Sequence, residues 1–173
     1  MIKKLNLMLL TMFGVGYIKY APGTFASFLT CILYFVLIYL DNFWIWFFYY
    51  FLFVLITIYS IILVDKMSKY FSEVDAQEIV IDEFIGQSVP IISILIIFEI
   101  NDKNFNISSI YDVELLLIII SFILFRFFDT SKPYPINIID KKFKSGFGVI
   151  FDDILAGIYT AVIILIPLIY SFF

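Results

Sequence analysis

The 173-residue chain contains no histidine, one cysteine, five prolines and seven glycines, and only 15% of its residues are charged. Without histidine there is no imidazole general base, no Ser-His-Asp triad and no imidazole metal ligand. The single Cys31 excludes an internal disulfide and a cysteine-rich metal site, and its place inside an apolar run reads as that of a small buried hydrophobe. Any chemistry must come from carboxylates, lysine, arginine, tyrosine or hydroxyls. The composition is instead 63% hydrophobic, with 22 Phe and 12 Tyr, against the roughly 45–50% of soluble domains. The continuous apolar runs make it an integral membrane protein. No repeat or linker composition divides the chain, so 1–173 reads as a single domain.

Residues 1–22 begin with Lys3 and Lys4 and continue into a modest apolar stretch without a small-x-small cleavage site. That pattern predicts an interfacial or packed amphipathic helix rather than a secretory signal. Runs at 24–40 and 43–64, separated by Asp41 and Asn42, predict a helical hairpin. The second is long enough to cross a hydrocarbon layer of ~30 Å at 1.5 Å per residue. A third run, Phe84 to Ile100, is interrupted by Pro90, a polar loop spans Asn101 to Asp112, and further runs follow at Val113 to Phe128 and Ile154 to Phe173. The expected fold is therefore all-α, a polytopic membrane helical bundle of four to five spans. Four would result if Pro90 broke the third run or the short fourth did not cross. D-A-Q-E at 75–78 resembles a capping box and predicts a helix start near Ala76.

Of eleven Lys and Arg, ten fall in the N-terminal segment, the loop 65–83 and the loop 126–153. Only Lys103 lies opposite in a five-span arrangement. The positive-inside rule places the three basic segments in the cytoplasm.

Charge is densest between Arg126 and Gly157: R-F-F-D-T-S-K-P-Y-P-I, then Asp140, then G-F-G-V-I-F-D-D-I-L-A-G. Arg126 and Asp129 sit at a helical i, i+3 spacing, Pro133 and Pro135 then stop the helix, and Asp152-Asp153 stand where the last apolar run begins. Asp152, one residue earlier, is the expected N-cap of that run. This stretch closely resembles the C-terminal signature of the phosphatidylglycerophosphatase A family. G-Y-I-K-Y-A-P-G-T-F-A-S near the N-terminus and I-V-I-D-E-F-I-G-Q in the middle agree with the same family, in the right order over most of the chain.

Carboxylates at the edges of apolar runs are expensive unless paired or metal-bound. Asp82, Glu83, Asp129, Asp152 and Asp153 occupy such positions on one side, and with no His or Cys they suit a hard cation with oxygen ligands, Mg²⁺ being the natural candidate. Glu83, Asp129, Asp152 and Asp153 are the expected metal ligands, and Asp82, Glu83, Asp129 and Asp153 the expected catalytic acids. Arg126 and Lys132 are placed to bind substrate phosphate, the first as a planar fork and the second as a point charge. Thr24 and Ser27, at the opening of the first span, could hold a phosphate with free backbone N–H groups. Lys141, Lys142 and Lys144 read as attraction to anionic headgroups.

The resemblance implies an Mg²⁺-dependent lipid phosphatase that converts phosphatidylglycerophosphate to phosphatidylglycerol. It would act on phospholipid in the bacterial cytoplasmic (inner) membrane, with its active site on the cytoplasmic face and no nucleic-acid partner. Oligomeric state is not legible. The alternative from another class is a small ion or proton transporter using membrane-edge carboxylates, although transport would favour acids in mid-span.

Overall fold

The computed structural model describes residues 2–40, 42–71, 74–101 and 107–172. Among these there are seven α-helices and no strand: α1 (Ile2–Leu10), α2 (Pro22–Leu40), α3 (Phe43–Met67), α4 (Ile81–Asn101), α5 (Ile107–Ser131), α6 (Ile136–Lys142) and α7 (Gly146–Phe172). Among the described residues, α2, α3, α4 and α7 are long and apolar enough to cross a membrane. The 25-residue α5 packs beside them. The fold is an all-α membrane bundle.

The hairpin expected from the first two runs is present. Asn42 caps α3, its side-chain oxygen accepting from the backbone N–H of Trp44 at 3.0 Å and of Ile45 at 3.4 Å. Helix α1 packs on the end of α3, where Leu10 is buried with Leu63, Val64, Ile79 and Ile150, and Tyr59 donates to Asn6 at 3.0 Å.

Contacts fix the direction of each long helix. On α2 and α4, Gly23 faces Glu83 at one end while Cys31 and Tyr34 pack with Ile91 and Leu95 further along, so these two run parallel. Helix α7 runs parallel to α4, with Gly157 facing Gly86 and Ile164 packing with Ile94 and Phe98. Helix α5 opposes both: Arg126 lies by Glu83, Ser121 bonds Gln87, and Leu117 packs beside the Ile94, Phe98 and Ile164 cluster. Helix α3 finishes at the same end, its Asp65 in the last turn reaching the start of α7. Five helices thus alternate in direction, and the N-terminal, 65–83 and 126–153 segments gather at one end of the bundle. Lys103, expected at the other end, lies outside the described residues.

Four local expectations are corrected. Pro90 does not interrupt the third run, because α4 continues through it. Proline lacks the N–H that would have bonded the carbonyl four residues back, and that carbonyl, Gly86, abuts Gly157 of α7 instead. The helix expected to start near Ala76 starts at Ile81. Residues 75–80 form a turn with Ile79 N–H on the Ala76 carbonyl at 2.9 Å and Val80 N–H on Leu10 at 2.9 Å, and burial of Ala76, Ile79 and Val80 outweighs the capping pattern. The polar loop expected over 101–112 is shortened, since α5 already begins at Ile107. Neither Gly nor Pro occurs between 107 and 131, and polarity alone does not stop a helix. Finally, the last helix begins at Gly146, eight residues before Ile154, so Asp152 is not its N-cap. Gly146 and Gly148 are there for close approach: a Cβ on the first would meet the Ile61 carbonyl of α3, and on the second the Phe143 carbonyl.

Candidate active site

Asp82 and Glu83 lie in the first turn of α4, where acids are favoured by the helix dipole. Asp153 is the eighth residue of α7, about two turns from its start. One oxygen from each of the three carboxylates falls within 4.8 Å of the other two. What brings them together is glycine-mediated packing of α4 on α7. A Cβ on Gly86 would sit 2.7 Å from the carbonyl oxygen of Asp153. Glycine also makes room on the third side, because a Cβ on Gly23 of α2 would collide with the Glu83 carboxylate.

Two cations border the acids and divide them. The Arg126 guanidinium pairs with Asp129 at 2.7 Å across the i, i+3 spacing seen in the sequence, and its Nη1 lies 4.0 Å from Glu83. Lys132 Nζ lies 2.8 Å from both Asp140 and Asp152. Burial alone would lower the Lys132 ammonium, but the hydrogen bonds and charges of Asp140 and Asp152 outweigh it and hold its pKa above the ordinary lysine value. Burial likewise pushes Asp140 upward, and the Lys132 hydrogen bond and charge, helped by Lys144 and Lys141, bring it below the ordinary carboxylate value.

Asp129 is held by Arg126 and Asp152 by Lys132, which leaves Glu83 with only the more distant Arg126, at 4.0 Å, and Asp82 and Asp153 with no ion pair among the described residues. Asp82 Oδ1, Glu83 Oε2 and Asp153 Oδ2 are buried and make no hydrogen bond. Uncompensated buried carboxylates of this kind are costly. Three hard oxygen donors with orphaned lone pairs fit a divalent cation such as Mg²⁺, which takes few carboxylates and completes its shell with water and phosphate. The cluster is an acidic site able to hold a metal ion.

Of the expected metal ligands, the structure brings Glu83 and Asp153 into this cluster, together with Asp82. Asp129 and Asp152 stand beside it, each held by a cation. Thr24 is half-buried in the first turn of α2, next to the Gly23 that abuts Glu83. The Ser27 hydroxyl, fully buried, donates to the Gly23 carbonyl at 3.0 Å. Lys141, Lys142 and Lys144 are exposed. Two participants escaped the sequence reading. Asp140 had a signal, its place inside the 126–157 stretch. Asp65, which accepts from the Gly146 N–H at 2.5 Å and so anchors the start of α7, had none.

The fold and the site together define an integral membrane helical bundle with an acidic, metal-binding type of cluster at one end, bordered by an arginine. The pattern of the family described as phosphatidylglycerophosphatase A matches residues 8–168. A phosphatidylglycerophosphatase A of Haemophilus influenzae is 33% identical over 152 residues, covering 88% of this chain and 82% of its own. The Escherichia coli protein of the same name is 27% identical, covering 86% of this chain and 75% of its own. A Bacteroides thetaiotaomicron protein, named provisionally as a phosphatidylinositol-3-phosphatase, is 32% identical over 89% of this chain and 87% of its own. No solved structure matches. The chain belongs to the phosphatidylglycerophosphatase A family and is a phosphatase.

Proposed function

We propose that this protein hydrolyses the terminal phosphomonoester of phosphatidylglycerophosphate to phosphatidylglycerol and phosphate, with Mg²⁺, as a step of phospholipid synthesis. The observation that carries the reading is the convergence of Asp82, Glu83 and Asp153 beside Arg126, with three buried carboxylate oxygens left unbonded. Asp82, Glu83 and Asp153 would hold the ion, which when bound offsets charge on the phosphoryl oxygens.

The chain's own residues do the rest. Arg126, oriented by Asp129, grips the phosphate through its fork of N–H donors and stabilises charge that grows as the P–O bond breaks. Lys132 adds a second positive charge, and the opening turn of α2, with Thr24 beside the Gly23 that abuts Glu83, offers backbone N–H groups that favour an anion, while Ser27, whose buried hydroxyl is committed to the Gly23 carbonyl, supports that turn from within. Water supplies the hydroxyl that ends on phosphorus and the proton that leaves on the glycerol oxygen. A carboxylate of the group Asp82, Glu83, Asp129 and Asp153 takes the water proton, or first attacks phosphorus itself.

The whole chain acts as one membrane domain. The charge-rich end faces the cytoplasm of a bacterial inner membrane, supported by the ten basic residues gathered in segments at that end. Family membership favours hydrolysis over ion transport. The test is phosphate release by purified protein from synthetic phosphatidylglycerophosphate, with phosphatidylinositol 3-phosphate in a parallel arm. Release from the first that stops with EDTA and returns with Mg²⁺ is expected. Release from the second alone would move the substrate assignment to the inositol lipid, and release insensitive to EDTA would remove the metal.

A further inference from the structure

Lys132 is the first residue beyond α5, and its φ of 41° lies in the left-handed region that a lysine seldom adopts. Its backbone N–H closes on the Phe128 carbonyl at 2.9 Å, which ends the helix. The side chain is thereby sent to carboxylates on two other helices, Asp140 of α6 and Asp152 of α7, each 2.8 Å from Nζ. Helix α6 is itself docked. Ile136, one turn before Asp140, is fully buried with Phe125 and Ala156, and Tyr159 of α7 donates to the Tyr134 carbonyl at 2.8 Å.

An ammonium has three N–H donors. Two are committed to Asp140 and Asp152, and one remains for a phosphate oxygen. A free lysine would lose much of its rotamer freedom on gripping substrate, whereas this one is already held from two sides. We propose that Asp140 is a positioning residue for the phosphatase reaction: acting through Lys132, it holds the remaining ammonium donor ready for the substrate's phosphate. This rests on the reading of Lys132 as a phosphate ligand. The competing possibility is that Asp140 is a placeholder that phosphate displaces. Asp140 is the more exposed partner, with 22% of its side chain accessible against 6% for Asp152, but its helix is anchored by a buried isoleucine, which favours positioning.

The two ideas have opposite signs. The experiment is a double-mutant cycle of Asp140→Asn and Lys132→Met in the full-length purified protein, with kcat and KM measured on phosphatidylglycerophosphate micelles. Removing a carboxylate that orients a metal-ligating side chain typically costs tenfold or more; by analogy, Asp140→Asn should lower kcat/KM about tenfold, chiefly through KM. The double variant should be no worse than Lys132→Met alone, and Asp140→Glu should recover part of the loss. Additive losses, or a KM that falls in Asp140→Asn, would overturn the proposal. A second readout is independent of the lipid substrate: protection against thermal unfolding by inorganic phosphate, expected in the wild type and diminished in Asp140→Asn and Lys132→Met alike. If the wild type releases no phosphate from the lipid, the functional reading fails while this shift still decides Asp140. Equal protection in all three proteins would reject the positioning role.

Discussion

Replacing Gly86 with alanine tests whether packing of α4 on α7 sets the geometry of the acid cluster. A methyl at Gly86 would lie 2.7 Å from the Asp153 carbonyl oxygen and 2.7 Å from Cε2 of Phe125, where ordinary contact begins at 3.4 Å. Relief therefore requires a separation of about 0.7 Å (3.4 − 2.7) at the very residue that supplies the third carboxylate. Metal–oxygen distances are held to about 0.2 Å, so the displacement exceeds the tolerance of the site severalfold. Stability should suffer much less. Overpacking costs about 1–3 kcal/mol, and the higher helix propensity of alanine returns about 1 kcal/mol of it. Gly86→Ala should stay folded while needing at least about tenfold more Mg²⁺ for half-maximal phosphate release, in line with the cost of misorienting metal ligands. The assay is a Mg²⁺ titration of phosphate release alongside thermal unfolding. An unchanged Mg²⁺ requirement at unchanged turnover would refute the idea that this contact sets the cluster.

Arg126→Lys should be nearly as harmful as Arg126→Ala, because lysine keeps the charge and loses the two-pronged donor geometry; near-normal turnover in the lysine variant would indicate a diffuse electrostatic role. Asp153→Asn and Glu83→Gln should abolish most Mg²⁺-dependent release, whereas Asp152→Asn, whose parent carboxylate is committed to Lys132, should retain substantial activity; the reverse ranking within the Asp152-Asp153 pair would exchange their roles. The Lys132–Asp140 pair also predicts a pH dependence. Asp140 is lowered and Lys132 raised on folding, so the pair stabilises between about pH 4 and pH 10, the ordinary values of the two groups. The stability gap between wild type and Asp140→Asn should close as pH falls below about 4 and the carboxylate protonates. A gap that persists in acid would mean that packing, not charge, makes the difference. Cysteines introduced at Lys69 and Lys142 should label from the same side of the membrane, and labelling from opposite sides would break the common end on which the site depends.

The sequence by itself determined that the chain is an all-helical membrane protein, where its first hairpin lies, that Arg126 and Asp129 share one helix face, and that α5 ends before Pro133. These are local matters: apolar length, an i, i+3 spacing and a ring that forbids helix are readable within a turn or two of chain. The basic bias of three segments extended this to one shared end. Which acids remain unpaired was not legible, because Asp82 and Asp153 lie 71 positions apart and meet only where α4 and α7 interlock at Gly86 and Gly157. The same holds for the neighbours Asp152 and Asp153. They look alike at the edge of an apolar run, yet successive residues on a helix point about 100° apart, so one turns to Lys132 and the other to the acid cluster. That choice also depended on α7 starting at Gly146, a position fixed by contact with α3 rather than by any local signal. Tertiary structure decides such questions because the free energy of a buried charge depends on which partner long-range packing places beside it.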